Sequence, residues 1–242
     1  TYARMFSEAF LNGDGSFPQN VNKTQKFSQA YLDAFRAKVE SGQPYSTVDI
    51  DPVTGEYVYY ASTDYYDELY KDNSIALDNN ISITGSGEKT TFLISGRYMT
   101  QNGLFTYNTD DYNMKNFRAK GSIQVAPWLV IDNNTDYSEM MYHNPINVGE
   151  GSGIWRNIGD EGHPTEPLLN PDGTISFSSV YTVGDFWYGK NGIDTKKRLL
   201  KNTTGFTAEF LNKKLRIKGD ITFRNNNNNT EQKRVQVPYS TK

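Results

Sequence analysis

The residues best equipped for chemistry fall into three short groups. Gly85-Ser86-Gly87-Glu88-Lys89-Thr90 holds the glycines, lysine and threonine of a phosphate-cradling loop. Such a loop needs glycine directly before the lysine and a helix after it, whereas Glu88 intervenes here and a strand pattern follows. The stretch reads as a turn. Asp160-Glu161-Gly162-His163-Pro164-Thr165-Glu166 offers carboxylates and an imidazole to a metal or an acid pair. A catalytic metal site asks for several oriented ligands, and a solvated loop explains this stretch more simply. His143 and His163 are the only histidines, so a Ser-His-Asp arrangement would have to use one of them, and nothing in the sequence supports it. No bond-breaking residue, metal or cofactor is expected.

The remaining candidates bind rather than react. Tyr57, Tyr59, Tyr60, Trp155, Trp187 and Tyr188 lie in segments without strand alternation. Their flat apolar faces and polar rims suit stacking on sugar rings, and the plainer reading is packing within loops or an interfacial girdle. They are the candidates for contact with a ligand or partner.

The elements that would carry these residues are mostly strands. Ile75, Leu77, Ile81 and Ile83 alternate with Asp78, Asn80, Ser82 and Thr84, interrupted only by Asn79. A period of two marks a strand with one apolar and one polar face. After the 85–87 turn, Phe92, Ile94, Gly96 and Tyr98 oppose Thr91, Ser95 and Arg97, with Leu93 out of pattern. Phe117, Ala119, Gly121, Ile123 and Val125 oppose Asn116, Arg118, Lys120, Ser122 and Gln124. Past a tight turn at Pro127, Leu129, Ile131, Thr135 and Tyr137 oppose Asp132, Asn134, Asp136 and Ser138. Thr204, Phe206, Ala208 and Phe210 then form a fifth strand, and Leu215, Ile217, Gly219, Ile221 and Phe223 a sixth. Connections are short at 85–87, near Pro127 and at 211–214. They are long at 100–115, at 139–199 and after 225.

Outer-membrane barrels alternate short periplasmic turns with long extracellular loops, and soluble sandwiches have no reason to. The expected fold is therefore all-β, a transmembrane antiparallel β-barrel of which about six strands are present. Its organisation is an extracellular segment at 1–74 with helical patches at 2–11 and 26–41, four strands at 75–138, a long loop at 139–199, two strands at 200–224, and a further loop from 225 to 242. The tract Asn225 to Asn229 belongs to that last loop, and a hairpin is expected around Asn170-Pro171-Asp172-Gly173.

Composition agrees with this reading. Of 242 residues 36% are hydrophobic, with 17 Tyr, 13 Phe and 20 Gly. No apolar run is long enough for a membrane-spanning helix, and a barrel needs none because only alternate residues meet lipid. Cysteine is absent, which excludes disulfides and thiol chemistry within the chain. A net charge of −3 without a basic block argues against a nucleic-acid partner. With Thr1 first and no signal peptide, the chain is expected to be a fragment.

Residues 64–129 resemble the SusC/RagA group of TonB-dependent outer-membrane transporters. That group shows an Asp-Trp pair before an asparagine-bearing strand, a Gly-Gly-x-Glu-Lys turn, and a strand closing on Gln-x-Gly and a hydrophobic residue. The counterparts are Asp64-Tyr65, Asn79, Gly85-Ser86-Gly87-Glu88-Lys89 and Gln101-Asn102-Gly103-Leu104. Asn116-Phe117-Arg118 resembles the family's Arg-x-Asn strand, Pro127-Trp128-Leu129 follows it, and Ser7-Glu8-Ala9 is similar to its Asn-Glu-Ala. Tyr65 replaces the usual Trp, and Asp78 stands where a His often does. The resemblance implies a barrel of about 22 strands with a plug in its lumen. The plug and the segment that meets the TonB complex would lie upstream. A SusD-like surface lipoprotein would cap the extracellular face, and proton-motive force relayed by TonB would admit glycans, or other large nutrients such as peptides. The rival readings are a barrel enzyme of the protease or phospholipase type and a passive structural or adhesive barrel.

Overall fold

A computed structural model describes residues 1–18, 27–147 and 153–242, and all structural statements concern those residues. The first part of the chain is helical. Helix α1 (Tyr2–Asp14) stops at Gly15, whose left-handed backbone (φ 72°) turns its amide back to the Leu11 carbonyl, a conformation that costs glycine nothing. Helix α2 (Gln29–Glu40) begins where Ser28 Oγ accepts the Tyr31 amide at 3.2 Å. Lys26, the expected start of that patch, lies outside the described residues. A small hairpin follows, β1 (Val48–Ile50) with β2 (Tyr57–Tyr59), turned by Asp51 Oδ1 accepting the amides of Val53 and Thr54. Helix α3 (Tyr65–Leu69) is capped by Asp64, which accepts from Tyr66 and Asp67.

Next comes a six-stranded antiparallel sheet in sequence order: β3 (Ala76–Ser86), β4 (Thr90–Asn102), β5 (Asp111–Ala126), β6 (Leu129–Pro145), β7 (Gly192–Phe210) and β8 (Leu215–Lys233). Within the long connection between β6 and β7 lie α4 (Ile154–Glu161), α5 (Phe177–Ser179), a π-helical turn (Val180–Gly184) and α6 (Asp185–Tyr188). The expectation of an all-β chain is corrected by these helices, which pack into a layer of their own. The chain is mixed α/β, dominated by the antiparallel sheet. Strands β3 and β8 are its two edges and do not pair with each other, so the described residues close no barrel.

Register carries the alternation across the sheet, with one shift between Gln124 and Ala126 beside the β5–β6 turn. One row runs Ile83, Ile94, Ala119, Thr135, Asn202, Phe223, and a neighbouring one Gly85, Phe92, Gly121, Asn133, Thr204, Ile221. Every apolar residue named for the six strands, other than Leu93, Ile75 and Val125, falls on this one face or its continuation. The face stays open: Ile221 is 80% exposed and Ile81 70%. Glycines let aromatic rings cross it closely. A Cβ on Gly219 would come within 2.7 Å of the Phe206 ring, so Phe206 lies flat over the β8 backbone.

Strands β4 to β8 outrun their alternating cores, and always at the same end. The short turns at 87–89, 127–128 and 211–214 mark one end, and the helical layer joins the other. Strand β8 continues to Lys233, so the tract from Asn225 to Asn229, expected in a loop, is strand. It pairs residue for residue with Leu200 to Lys196. The expected loops at 100–115 and 139–199 shrink to 103–110 and 146–191 for the same reason.

Candidate functional site

The segments before β3, between β6 and β7, and after β8 interlock into one crown. Ala61 and Thr63 amides donate to Thr165 and Pro164 carbonyls at 2.9 and 2.7 Å. The C-terminal segment is tied in by Tyr57 donating to the Thr241 carbonyl (3.0 Å) and Ser240 donating to Ile175 (3.2 Å). Asn191, fully buried beside the first residue of β7, donates to the Val235 carbonyl and to Asp185, and accepts the Val235 amide. Two apolar clusters fill the layer. Tyr65, Leu69, Ile158, Val183 and Phe186 form one, and Ala3, Phe27, Tyr31 and Tyr60 the other.

Between these clusters runs a buried polar seam. Glu166 is 0% exposed, and one of its carboxylate oxygens accepts the Ser178 amide at 2.9 Å. Tyr65 donates to the Glu166 carbonyl at 3.1 Å and Tyr59 to Asn170 Oδ1 at 2.8 Å. His163 lies 2.8 Å through Nδ1 from the Tyr2 hydroxyl. Burial holds the imidazole neutral, pushing its pKa from 6.5 down to about 4. Burial, helped by the Glu166 charge, pushes the Tyr2 hydroxyl up to about 12 and raises Tyr31, Tyr59 and Tyr65 in the same direction. The seam is therefore protonated on its tyrosines and neutral on its histidine, a packing arrangement without an activated base.

The six candidate aromatics divide. Tyr57, Tyr59 and Tyr60 are buried in the crown: Tyr60 stacks on Tyr31 at 5.2 Å with Lys38 Nζ 4.8 Å above its ring, and Tyr31 donates to the Tyr59 carbonyl. None presents a free face. Trp187 and Tyr188 share α6, with Trp187 exposed and Tyr188 half-buried beneath Lys190, whose Nζ is 4.4 Å from the ring centroid. Trp155 is on α4, and its side chain lies outside the described residues. Two further crown aromatics, Tyr45 and Tyr66, are 37% and 43% exposed. Tyr45 borders a cleft of about 580 Å³ between α1 and α2, together with Tyr2, Arg4, Phe35 and Arg36. A lone tyrosine after a proline in a polar stretch leaves no periodic trace, so no pattern could have found it.

The polar face of the sheet is a second surface. Arg97 grips Asp78 through two bonds of 2.8 and 2.6 Å, Arg118 pairs with Asp136, and Arg216 with Glu209 at 2.6 Å. Lys201 and Arg224 extend the row beginning at Arg118 and have no ion pair among the described residues. Asn116, Arg118, Asp136 and Lys201 line a hollow of about 540 Å³ on this face.

The chemical decoys resolve in their own geometry. Residues 87–89 turn directly between β3 and β4, so no helix stands behind Lys89. His143 is engaged at both nitrogens, by Asp194 at 2.7 Å and Asn108 at 3.1 Å. Neither imidazole is bonded to a serine hydroxyl among the described residues. No group of His, Asp and Glu among them could hold a metal ion. No helix is long and apolar enough to cross a membrane, which says nothing of strands. No protein-family model matches the chain, and no curated protein matches it either.

Proposed function

We propose that this chain is part of a TonB-dependent outer-membrane transporter of the SusC/RagA kind, importing glycans or other large nutrients together with a SusD-like surface lipoprotein. One observation carries the reading: a long antiparallel sheet whose apolar face is open, bounded by tight turns at one end and a folded crown at the other. On β8 the apolar positions run from Leu215 to Phe223 and on β7 from Leu200 to Phe210. At ~3.4 Å per residue and a tilt of ~40° these bands stand roughly 20–25 Å tall, close to the lipid-facing belt of outer-membrane barrels. Aromatic residues mark both margins, with Phe92, Trp128 and Phe210 near the turns and Tyr98, Phe117 and Tyr137 toward the crown. The opposite face, charged and open, suits a wet lumen.

In this reading the crown is extracellular, and Trp187, Tyr188, Tyr45 and Tyr66 are its accessible aromatic contacts for cargo or lipoprotein. Tyr57, Tyr59 and Tyr60 hold the crown together instead. The test is to purify the full-length protein with whatever lipoprotein accompanies it and to screen the pair for binding of polysaccharides and peptides. Binding that is lost when Trp187 and Tyr45 become Ala, with the pair still assembled, supports the reading. A protein that hydrolyses its cargo, and stops when His143 or His163 is replaced, would overturn it in favour of a barrel enzyme.

A further inference from the structure

The apolar face does not end abruptly. Its last row toward the crown is Gly96, Phe117, Tyr137, Leu200 and Asn225. The next row on the same face is Tyr98, Lys115, Glu139, Arg198 and Asn227, and the one after it carries Lys196. Three cations thus surround one carboxylate just beyond the apolar margin. Glu139 accepts from Arg198 Nε at 2.7 Å and lies 3.4 Å from Lys196 Nζ. That leaves the terminal guanidinium nitrogens of Arg198 without a partner among the described residues, and Lys115, which is exposed, without an ion pair among them. Beside Arg198 the surface is concave. Tyr137, Leu200, Arg198, Asn225 and Asn227 enclose a hollow of about 270 Å³, apolar on one side and amide-lined on the other. Two rows further toward the crown the same face turns acidic, with Asp111, His143, Asp194 and Glu231 in line.

We infer that this patch is a binding site for an anionic lipid carrying a phosphate headgroup, in the leaflet nearest the crown. Its parts match such a lipid in order of height. Tyr137 and Leu200 offer an apolar wall to the upper acyl chain. Arg198 offers two parallel N–H donors to the phosphate, the geometry in which guanidinium binds it best. Lys115 in the same row and Lys196 one row nearer the crown add charge, and basic side chains near the surface attract anionic lipid. Asn225 and Asn227 can donate to hydroxyls or ester carbonyls of the headgroup. The acidic row above sets a limit, since a phosphate there would meet carboxylates. The inference rests on the apolar face lying in a bilayer, as proposed above.

The test uses the full-length protein in neutral detergent, titrated with phosphatidylglycerol or phosphatidylcholine and read by native mass spectrometry. Phosphatidylglycerol should bind in preference to phosphatidylcholine. The Arg198→Gln/Lys196→Gln double variant should weaken phosphatidylglycerol roughly twenty-five-fold, at about fivefold per basic residue, and leave phosphatidylcholine unchanged. Glu139→Gln, which removes the competing carboxylate, should bind phosphatidylglycerol more tightly and needs no loss of folding to be informative. Equal binding of the two lipids, an unaltered double variant, or full displacement by inorganic phosphate alone would overturn the inference. The membrane reading is separated by a nitroxide on Ile221→Cys in neutral-lipid nanodiscs. A water-exposed label would sink that reading, whereas a lipid-exposed label without headgroup preference sinks only the lipid site.

Discussion

His163 is 5% exposed in the crown, and among the described residues its ring hydrogen-bonds only the Tyr2 hydroxyl. An unfolded histidine takes up a proton below about pH 6.5, while the buried one stays neutral to about pH 4. The folded crown is thus favoured above that window and loses stability as pH falls through it, by up to about 3 kcal/mol. Amide exchange in α4 and α5, corrected for intrinsic rate, should quicken between pH 7 and pH 4.5, and His163→Gln should flatten the change. Unchanged protection in the native protein would mean that the imidazole is already charged or exposed. Asn191 is the other residue on which the crown turns. Asn191→Ala strips the Val235 amide and carbonyl of their buried partner, which should cost about 2–3 kcal/mol and release the segment after β8. Limited proteolysis after Lys233 reads that release directly. On the sheet, Ile221 and Thr222 are adjacent and face opposite ways. Lysine at 221 should cost roughly 2–4 kcal/mol in a membrane folding assay and lysine at 222 far less. Equal costs would place both faces in water.

Strand length is set by the ladder, not by the pattern that reveals it. The alternation at Phe117 to Val125 and at Leu215 to Phe223 exists because one face there is apolar and the other is not. Beyond Phe223 toward Lys233 both faces are polar, so the period of two vanishes while the backbone pairing continues; beyond Phe117 toward Asp111 the first face turns polar and the apolar positions, Tyr112 and Met114, pass to the other. All six strands were therefore legible where they are two-faced, and invisible where they are not. The asparagine run is the clearest instance: Asn225 to Asn229 read as loop composition, yet Leu200 to Lys196 hold it in register. Its amides that pair with β7 should be protected from exchange about as well as those of Ile217 to Phe223. Rapid exchange limited to 225–233 would restore the loop. Helices α1 and α2 answer to the expected patches at 2–11 and 26–41, but α4 to α6 are too short for a helical period to show. The burial of Tyr57, Tyr59 and Tyr60 was equally hidden, because an aromatic run is the same in sequence whether it faces a ligand or a core.

At the scale of the chain, the sheet offers an apolar face that no described residue covers, while the crown has its own buried clusters and a hydrogen-bonded polar seam. The two halves ask for different surroundings. Residues 1–242 expressed alone should stay dispersed only in detergent, since two free edges and the exposed rows of Ile81, Ile221 and Phe223 invite association. A monodisperse, cooperatively unfolding protein in detergent-free buffer would contradict the membrane reading as a whole.

The stretch of β8 between Phe223 and Lys233 has an electrical meaning as well as a mechanical one. With the apolar band in a bilayer, these residues rise beyond its margin at ~3.4 Å each, lifting the crown end of the sheet roughly 25 Å above the lipid even at a tilt of ~40°. Physiological salt screens charge within ~8 Å. Cargo held at that height would sit about three screening lengths from the headgroups, so a charged and a neutral glycan would meet the same receptor on nearly equal terms, whatever the charge of the membrane below.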